Sequence, residues 1–249
     1  MLTESFVFLP GIGELTEQKL WLRGVHDWST FLSAVKIKGL SRARKETYDK
    51  LLHEAHQKLY QENAGYFYQL LPFTHQWRLY ENFKSDAVFL DIETSGYYGN
   101  VIMVGLFDGV EVKTFVRGIN LDRRLLENEL RKYKLLVTFN GASFDLPVIK
   151  RYFGLDVPLP HVDLRFVCQR LNLGGGLKAV ERRLGIKRRP EVEGLLGCDA
   201  PNLWRLWRYT GNKEYLERLA LYNEEDIVNL YPIAEKLIPR LWKQIRPQI

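Results

Sequence analysis

Cysteine is scarce: Cys168 and Cys198 are the only two in 249 residues. A pair so placed gives no disulfide framework, and both are expected to be free thiols in a reducing compartment. The five histidines and two cysteines show no zinc spacing. No apolar run approaches the ~20 residues that a membrane span requires, so no membrane association is expected. Met1-Leu2-Thr3-Glu4-Ser5 has neither a basic segment nor a long apolar one, so no signal peptide is expected. Together these point to a cytoplasmic protein. No Gly-x-x-x-x-Gly-Lys-Ser/Thr loop is present, and Gly174-Gly175-Gly176 is not followed by the lysine and hydroxyl that ATP hydrolysis would need. Internal repeats and low-complexity tracts are lacking as well.

What is present suits a folded chain. Hydrophobic residues make up 46%, with 13 Tyr, 13 Phe and 6 Trp, which argues against disorder. The formal net charge is +6, a balance that suits a polyanionic partner. Residues 1–84 read as a helical N-terminal region. An apolar run from Phe6 ends in Pro10-Gly11-Ile12-Gly13. Helices are expected over 14–21, with Leu15, Leu20, Trp21 and Leu22 as apolar positions, then over 27–34 and 41–61.

Residues 85–249 read differently. Strands are expected over 87–92, 101–107, 110–116 and 135–139, with a short fifth over 161–164. Asp108-Gly109 signals a two-residue hairpin, and a turn over 96–100 joins the first two strands. Helices are expected over 122–133, 143–153, 163–171, 177–184, 202–209, 213–230 and 233–245. This order makes an α/β fold, a mixed sheet of three antiparallel strands followed by parallel ones, flanked by helices.

Three stretches carry candidate chemistry. In Val88-Phe89-Leu90-Asp91-Ile92-Glu93-Thr94 two acids sit at i and i+2 of a buried strand, so both side chains share one face. Carboxylates this close repel and call for a proton or a cation. In Asn140-Gly141-Ala142-Ser143-Phe144-Asp145 a strand runs into a glycine turn, and Asp145 opens a helix. There it either caps the helix or faces a site at the strand ends. In Tyr222-Asn223-Glu224-Glu225-Asp226 the tyrosine and the last aspartate share a helix face, with Glu224 and Glu225 on a solvated side.

Asp-x-Glu on a first strand, Asn-x-x-x-Phe-Asp after a fourth, and Tyr-x-x-x-Asp on a late helix, in this order, resemble the DEDD exonuclease superfamily. Tyr222 in place of a histidine is similar to its tyrosine subclass, as in bacterial ribonuclease H-like exonuclease domain proteins. The resemblance covers roughly residues 85–235. It implies an RNase H-like fold and a metal-dependent 3′–5′ exonuclease acting on DNA or RNA, most readily at a single-stranded 3′ end. It implies two Mg2+ or Mn2+ ions held by Asp91, Glu93, Asp145 and Asp226. Asp91 is then the bridging ligand. A tyrosine hydroxyl ordinarily loses its proton near pH ~10, so Tyr222 is expected to orient water rather than act as a base.

Other residues suit contacts to the nucleic acid. Lys178, Arg182, Arg183, Lys187, Arg188 and Arg189 form the densest basic cluster; they line either a phosphate-tracking groove or a solvated face. A second cluster comprises Lys36, Lys38, Arg42, Arg44 and Lys45. Asn140 either touches a sugar or phosphate or stabilises its turn. Gly11 and Gly13 resemble the hairpin of a helix-hairpin-helix module, whose amides bind phosphate; a tight turn entering a helix is the other reading. Trp204, Trp207 and Tyr209 are expected in the core. Asp163 is expected to cap a helix and His161 to end a strand. Two further functional classes stay open: a catalytically weak nucleic-acid-binding module on the same fold, and a structure-specific endonuclease.

Overall fold

A computed structural model of the chain describes residues 1–96 and 99–247. They fall into two compact units, Met1–Ser85 with Ile238–Ile249, and Asp86–Leu237. The sequence division assigned the last residues to the second region. They join the first because Trp242 packs edge-on against Trp21 and Trp77, and Gln18 donates to the carbonyl of Ile245.

The first unit contains α1 (Glu14–Trp21), α2 (Trp28–Ser33), α3 (Arg42–Tyr60), α4 (Ala64–Leu70) and α5 (Tyr80–Phe83). Asp27 caps α2 in a reciprocal box with Thr30, and Ser41 caps α3. In α1 only Leu20 and Trp21 of the expected apolar positions are buried; Leu15 and Leu22 are exposed. The interior holds an ion pair. Arg78 donates to both oxygens of Glu17 at 2.8 Å, and neither side chain is exposed. Glu17 also accepts from the amides of Phe6 and Val7. The turn leading to Gly13 is therefore tied down from within by one carboxylate.

The second unit is built on a five-stranded sheet ordered β3-β2-β1-β4-β5. Its strands are β1 (Ala87–Thr94), β2 (Val101–Phe107), β3 (Val112–Val116), β4 (Leu135–Thr138) and β5 (His161–Asp163). β1 to β3 form an antiparallel meander, while β4 and β5 run parallel to β1. The β2–β3 turn is wider than a two-residue hairpin. Phe107 pairs with Val112, and the Asp108 carboxylate accepts from the amides of Val110 and Glu111. The turn between β1 and β2 includes Tyr97 and Tyr98, which lie outside the described residues.

The helices of this unit are α6 (Arg123–Leu130), α7 (Asp145–Phe153), α8 (Leu164–Arg170), α9 (Leu177–Leu184), α10 (Ala200–Thr210) and, as far as Leu237, α11 (Lys213–Ile245). Val88, Leu90 and Ile92 of β1 pack with Leu126, Leu130, Val148 and Ile149 of α6 and α7. The alternate residues Phe89, Asp91 and Glu93 face the other way, where Phe89 meets Tyr231 of α11. Trp204 packs into a second cluster with Ile102, Met103 and Leu219, and Trp207 lies against it. Tyr209, expected in the core, is exposed because it falls on the outer side of α10.

α11 continues through Pro232, where a break was expected. A proline inside a helix removes one hydrogen bond, but Ile227, Leu230, Ile233, Ala234 and Leu237 around it are all buried, and their burial offsets the loss. Among the described residues no helix is long and apolar enough to cross a membrane.

The buried pair in the first unit generates a stability prediction. Glu17→Gln should cost about 3–5 kcal/mol in urea unfolding, because it strands a buried guanidinium. Replacing Glu17 and Arg78 together by methionine should cost less than the single change. A single change costing under about 1 kcal/mol contradicts this account of the pair.

Candidate active site

β1 is the central strand, and its carboxyl end meets those of β4 and β5, where open α/β sheets collect ligands. Its register with β2 shifts between Glu93 and Thr94, an irregularity of the kind that re-aims side chains beside sites. Asp91 stands opposite Gly105 of β2. A Cβ on Gly105 would come within 2.0 Å of the Asn223 amide oxygen. The glycine therefore makes room for Asn223 of α11, which donates to the Asp91 carboxylate at 2.9 Å. Asn223 is fully buried.

Asp145 opens α7 but does not cap it, since the capping position is Phe144 and lacks a side-chain bond. Its carboxylate reaches β1 instead and accepts from the Ile92 amide at 3.1 Å. Pro147, the third residue of α7, lacks only an N–H that has no partner in a first helical turn. Asp226 and Tyr222 approach from α11, one turn apart and both buried. Asp91, Glu93 and Asp226 each bring an oxygen within 4.8 Å of the others. Asp145 stands beside this trio rather than in it. These three acids, Tyr222, Phe144 and Cys198 line a cavity of about 500 Å³.

A neighbouring loop is held as firmly. Asp163 accepts from the amides of Asn140 at 2.7 Å, Ala142 at 3.1 Å and Arg165 at 3.0 Å. It thus caps α8 and fixes the turn that leads to Asp145. Asn140 sits at φ +69°, a conformation asparagine tolerates better than most residues, and its side-chain oxygen accepts from Arg165. Gly141 packs on Thr138, whose hydroxyl accepts the Gly141 amide at 3.0 Å and bonds His161 at 2.8 Å. Burial holds the His161 imidazole down to about 4, so it is neutral at pH 7.

The electrostatics follow from burial and crowding. Burial, then the charges of Asp145, Asp226 and Glu93, push Asp91 well above the usual carboxylate range, against the Asn223 hydrogen bond. Burial and the charges of Asp226 and Asp145 do the same to Glu93. Burial raises Asp145 to about 7, although its own and the Ile92 amide oppose the shift. Burial also raises Asp226, with Arg188 pulling the other way. Burial and the neighbouring acids raise the Tyr222 hydroxyl, so it keeps its proton. A set of carboxylate oxygens that cannot all ionise together at neutral pH suits a hard divalent cation.

A family model for the RNase H superfamily matches residues 88–238. The chain belongs to this superfamily. No curated protein matches it significantly in sequence. Solved structures similar to this RNase H superfamily chain include the following three. The family B DNA polymerase of Pyrobaculum calidifontis is 17% identical, with 61% of this chain and 24% of that one covered at a TM-score of 0.49. Escherichia coli RNase D, an exoribonuclease involved in structured RNA processing, is 22% identical, with 68% and 43% covered at 0.44. The Aedes aegypti Nibbler EXO domain is 13% identical, with 68% and 89% covered at 0.35. The chain thus spans less than half the length of the first two, and at these scores none of the three bears on the chemistry.

The basic residues of this superfamily member are more committed than their sequence suggests. Arg188 donates to Glu181 at 2.6 and 2.8 Å and also to Asp226. Arg189 pairs with Glu224 and Glu225, so these acids are not simply a solvated side. Lys178 donates to the Leu195 carbonyl and lies 4.5 Å from the Tyr222 ring centre. Arg182 and Lys187 are exposed and line a second cavity with Lys178 and Arg188. Gly11 and Gly13 are exposed in the first unit. Among the described residues the short 3-10 turn Leu2–Glu4 and a buried turn over residues 6–9 stand before them, where a helix-hairpin-helix would have its first helix. Gly11, at φ +74°, leaves space for the Arg44 guanidinium.

Sequence reasoning passed over Asn223, Gly105 and Glu181. Asn223 was visible only as the neighbour of Tyr222, and Gly105 only as an interruption in an apolar strand.

The raised acids set a pH dependence. A carboxyl whose folded value lies above its unfolded one makes the native state bind more protons, so stability falls as pH rises. His161 has the opposite sign, but its effect ends near its ordinary value of 6.5. In EDTA, the melting temperature should therefore fall by several degrees between about pH 6.5 and pH 8.5. A flat or rising melting temperature across that window contradicts the assignment.

Proposed function

We propose that this chain is a metal-dependent 3′–5′ exonuclease of the tyrosine subclass of the DEDD superfamily, hydrolysing phosphodiester bonds of DNA or RNA with two Mg2+ or Mn2+ ions. The observation that carries the reading is the convergence of Asp91, Glu93 and Asp226 on one point, with Tyr222 lining the same cavity. Asp91, Glu93, Asp145 and Asp226 are the residues that hold the ions. When bound, the ions supply acidity for an attacking water and positive charge for the leaving oxygen.

The side chains do the rest. Asn223 fixes the Asp91 carboxylate, so one ligand is oriented before the cation arrives. The Ile92 amide does the same for Asp145. Tyr222 stays protonated, so its hydroxyl orients the water by donating or accepting a hydrogen bond and does not take a proton from it. Exposed Arg182 and Lys187 supply cations for the backbone of a single strand whose 3′ end enters the cavity.

The test uses 5′-labelled single-stranded DNA and RNA of matched sequence. A ladder shortening from the 3′ end should form only with Mg2+ or Mn2+. Asp91→Ala and Asp145→Ala should each lower the rate at least ~1000-fold, and Tyr222→Phe ~10- to 100-fold. A circular strand should stay intact. No ladder, or equal shortening by the aspartate variants, overturns the proposal; cleavage of the circle makes the chain an endonuclease instead.

A further inference from the structure

Arg188 binds one of the acids that the proposed function gives to a cation. Its Nη2 donates to Asp226 Oδ1 and, at 2.6 Å, to Glu181 Oε1. Its Nε completes a fork on Glu181 Oε2 at 2.8 Å. Glu181 is itself fixed by Asn229 of α11, whose amide donates at 3.0 Å. The guanidinium lies 5.7 Å from the centre of the Tyr222 ring. The Arg188 side chain is only 7% exposed, and its Nη1 is buried without a hydrogen-bond partner.

Two features set this apart from an ordinary structural ion pair. Glu181 alone provides a bidentate carboxylate for the guanidinium, so the reach to Asp226 is additional. Asp226 also belongs to the three-carboxylate cluster, which puts Arg188 in direct contact with that cluster, while the charge of Lys178 acts on Glu93 and Asp226 without a hydrogen bond to either among the described residues. A divalent ion on Asp226 would share this carboxylate with a guanidinium at a few ångströms, in a buried setting where like charges repel strongly.

We infer that Arg188 is a resident counter-cation of the Asp91–Glu93–Asp226 cluster, competing with the divalent ion for Asp226 and lowering the affinity of the site for it. The inference rests on the metal-dependent reading above. It makes Arg188 a positioning residue that sets cation occupancy. Without a divalent ion, Arg188 relieves part of the carboxylate repulsion. With one, the guanidinium gives up or shares Asp226 while Glu181 keeps it in place.

The test is Mn2+ binding by the full chain, read from the paramagnetic resonance of free Mn2+. Wild type, Arg188→Gln and Arg188→Lys are titrated, with thermal unfolding measured alongside. Arg188→Gln should bind Mn2+ at least about tenfold more tightly, melt lower without a cation, and gain more on adding it. Arg188→Lys keeps the charge and should stay within about threefold of wild type. Equal or weaker binding by Arg188→Gln overturns the inference, as does Arg188→Lys tightening as much as Arg188→Gln. If Arg188→Gln is unfolded without a cation, folding on addition of Mn2+ supports the inference; a chain unfolded under both conditions overturns it. Mn2+ binding by none of the three proteins overturns the metal-dependent reading as well, whereas equal binding by all three overturns this inference alone.

Discussion

Mutual repulsion of buried carboxylates is the constraint around which the second unit is arranged. Asp91 and Glu93 share a face of the central strand, Asp145 lies against that strand, and Asp226 comes from α11. No packing of apolar side chains relieves this charge. It is relieved only by protons, by cations, or by hydrogen bonds donated to the carboxylates. The raised values of all four acids express their burial first and then, for Asp91, Glu93 and Asp145, the neighbouring negative charge that the protein leaves unrelieved. Such residual repulsion costs stability and is the usual mark of a site built to bind or react.

The surrounding residues each answer one part of the constraint. Asn223 donates to Asp91, the Ile92 amide donates to Asp145, and Arg188 neutralises Asp226. Gly105 exists at its position because Asn223 needs the space. Asp163 acts one layer further out, holding the turn from which Asp145 is presented. The sheet aligns these groups through ordinary alternation. The apolar residues of β1 take one face and leave the acids on the other, toward α11.

The fold was largely legible in the sequence because its strands carry continuous apolar runs and its helices carry caps at their starts. Asp122, Asp163 and Ser41 cap helices within two residues of the expected starts. The uninterrupted α11 was not legible. Pro232 is a local signal for a break, and the buried row that overrides it is a tertiary effect. The acid positions were legible from spacing and order. Their supports were not, since an asparagine bonding across two elements, or a glycine vacated for it, leaves no periodic trace. The arginines were misleading in the same way: Lys187-Arg188-Arg189 reads as a uniform basic run, yet Arg188 is buried in an ion network while Lys187 is exposed.

The central claim is that cluster repulsion, relieved by a divalent cation, governs this unit. Thermal unfolding of wild type and Asp91→Asn, each in EDTA and in Mn2+, tests it most directly. Asparagine keeps the shape of Asp91 and its capacity to accept from Asn223 while removing one of the four acids that compete to ionise. The account predicts that Asp91→Asn melts above wild type in EDTA and that Mn2+ raises wild type but hardly moves the variant. A variant that melts below wild type in EDTA, with Mn2+ leaving wild type unchanged, would contradict it.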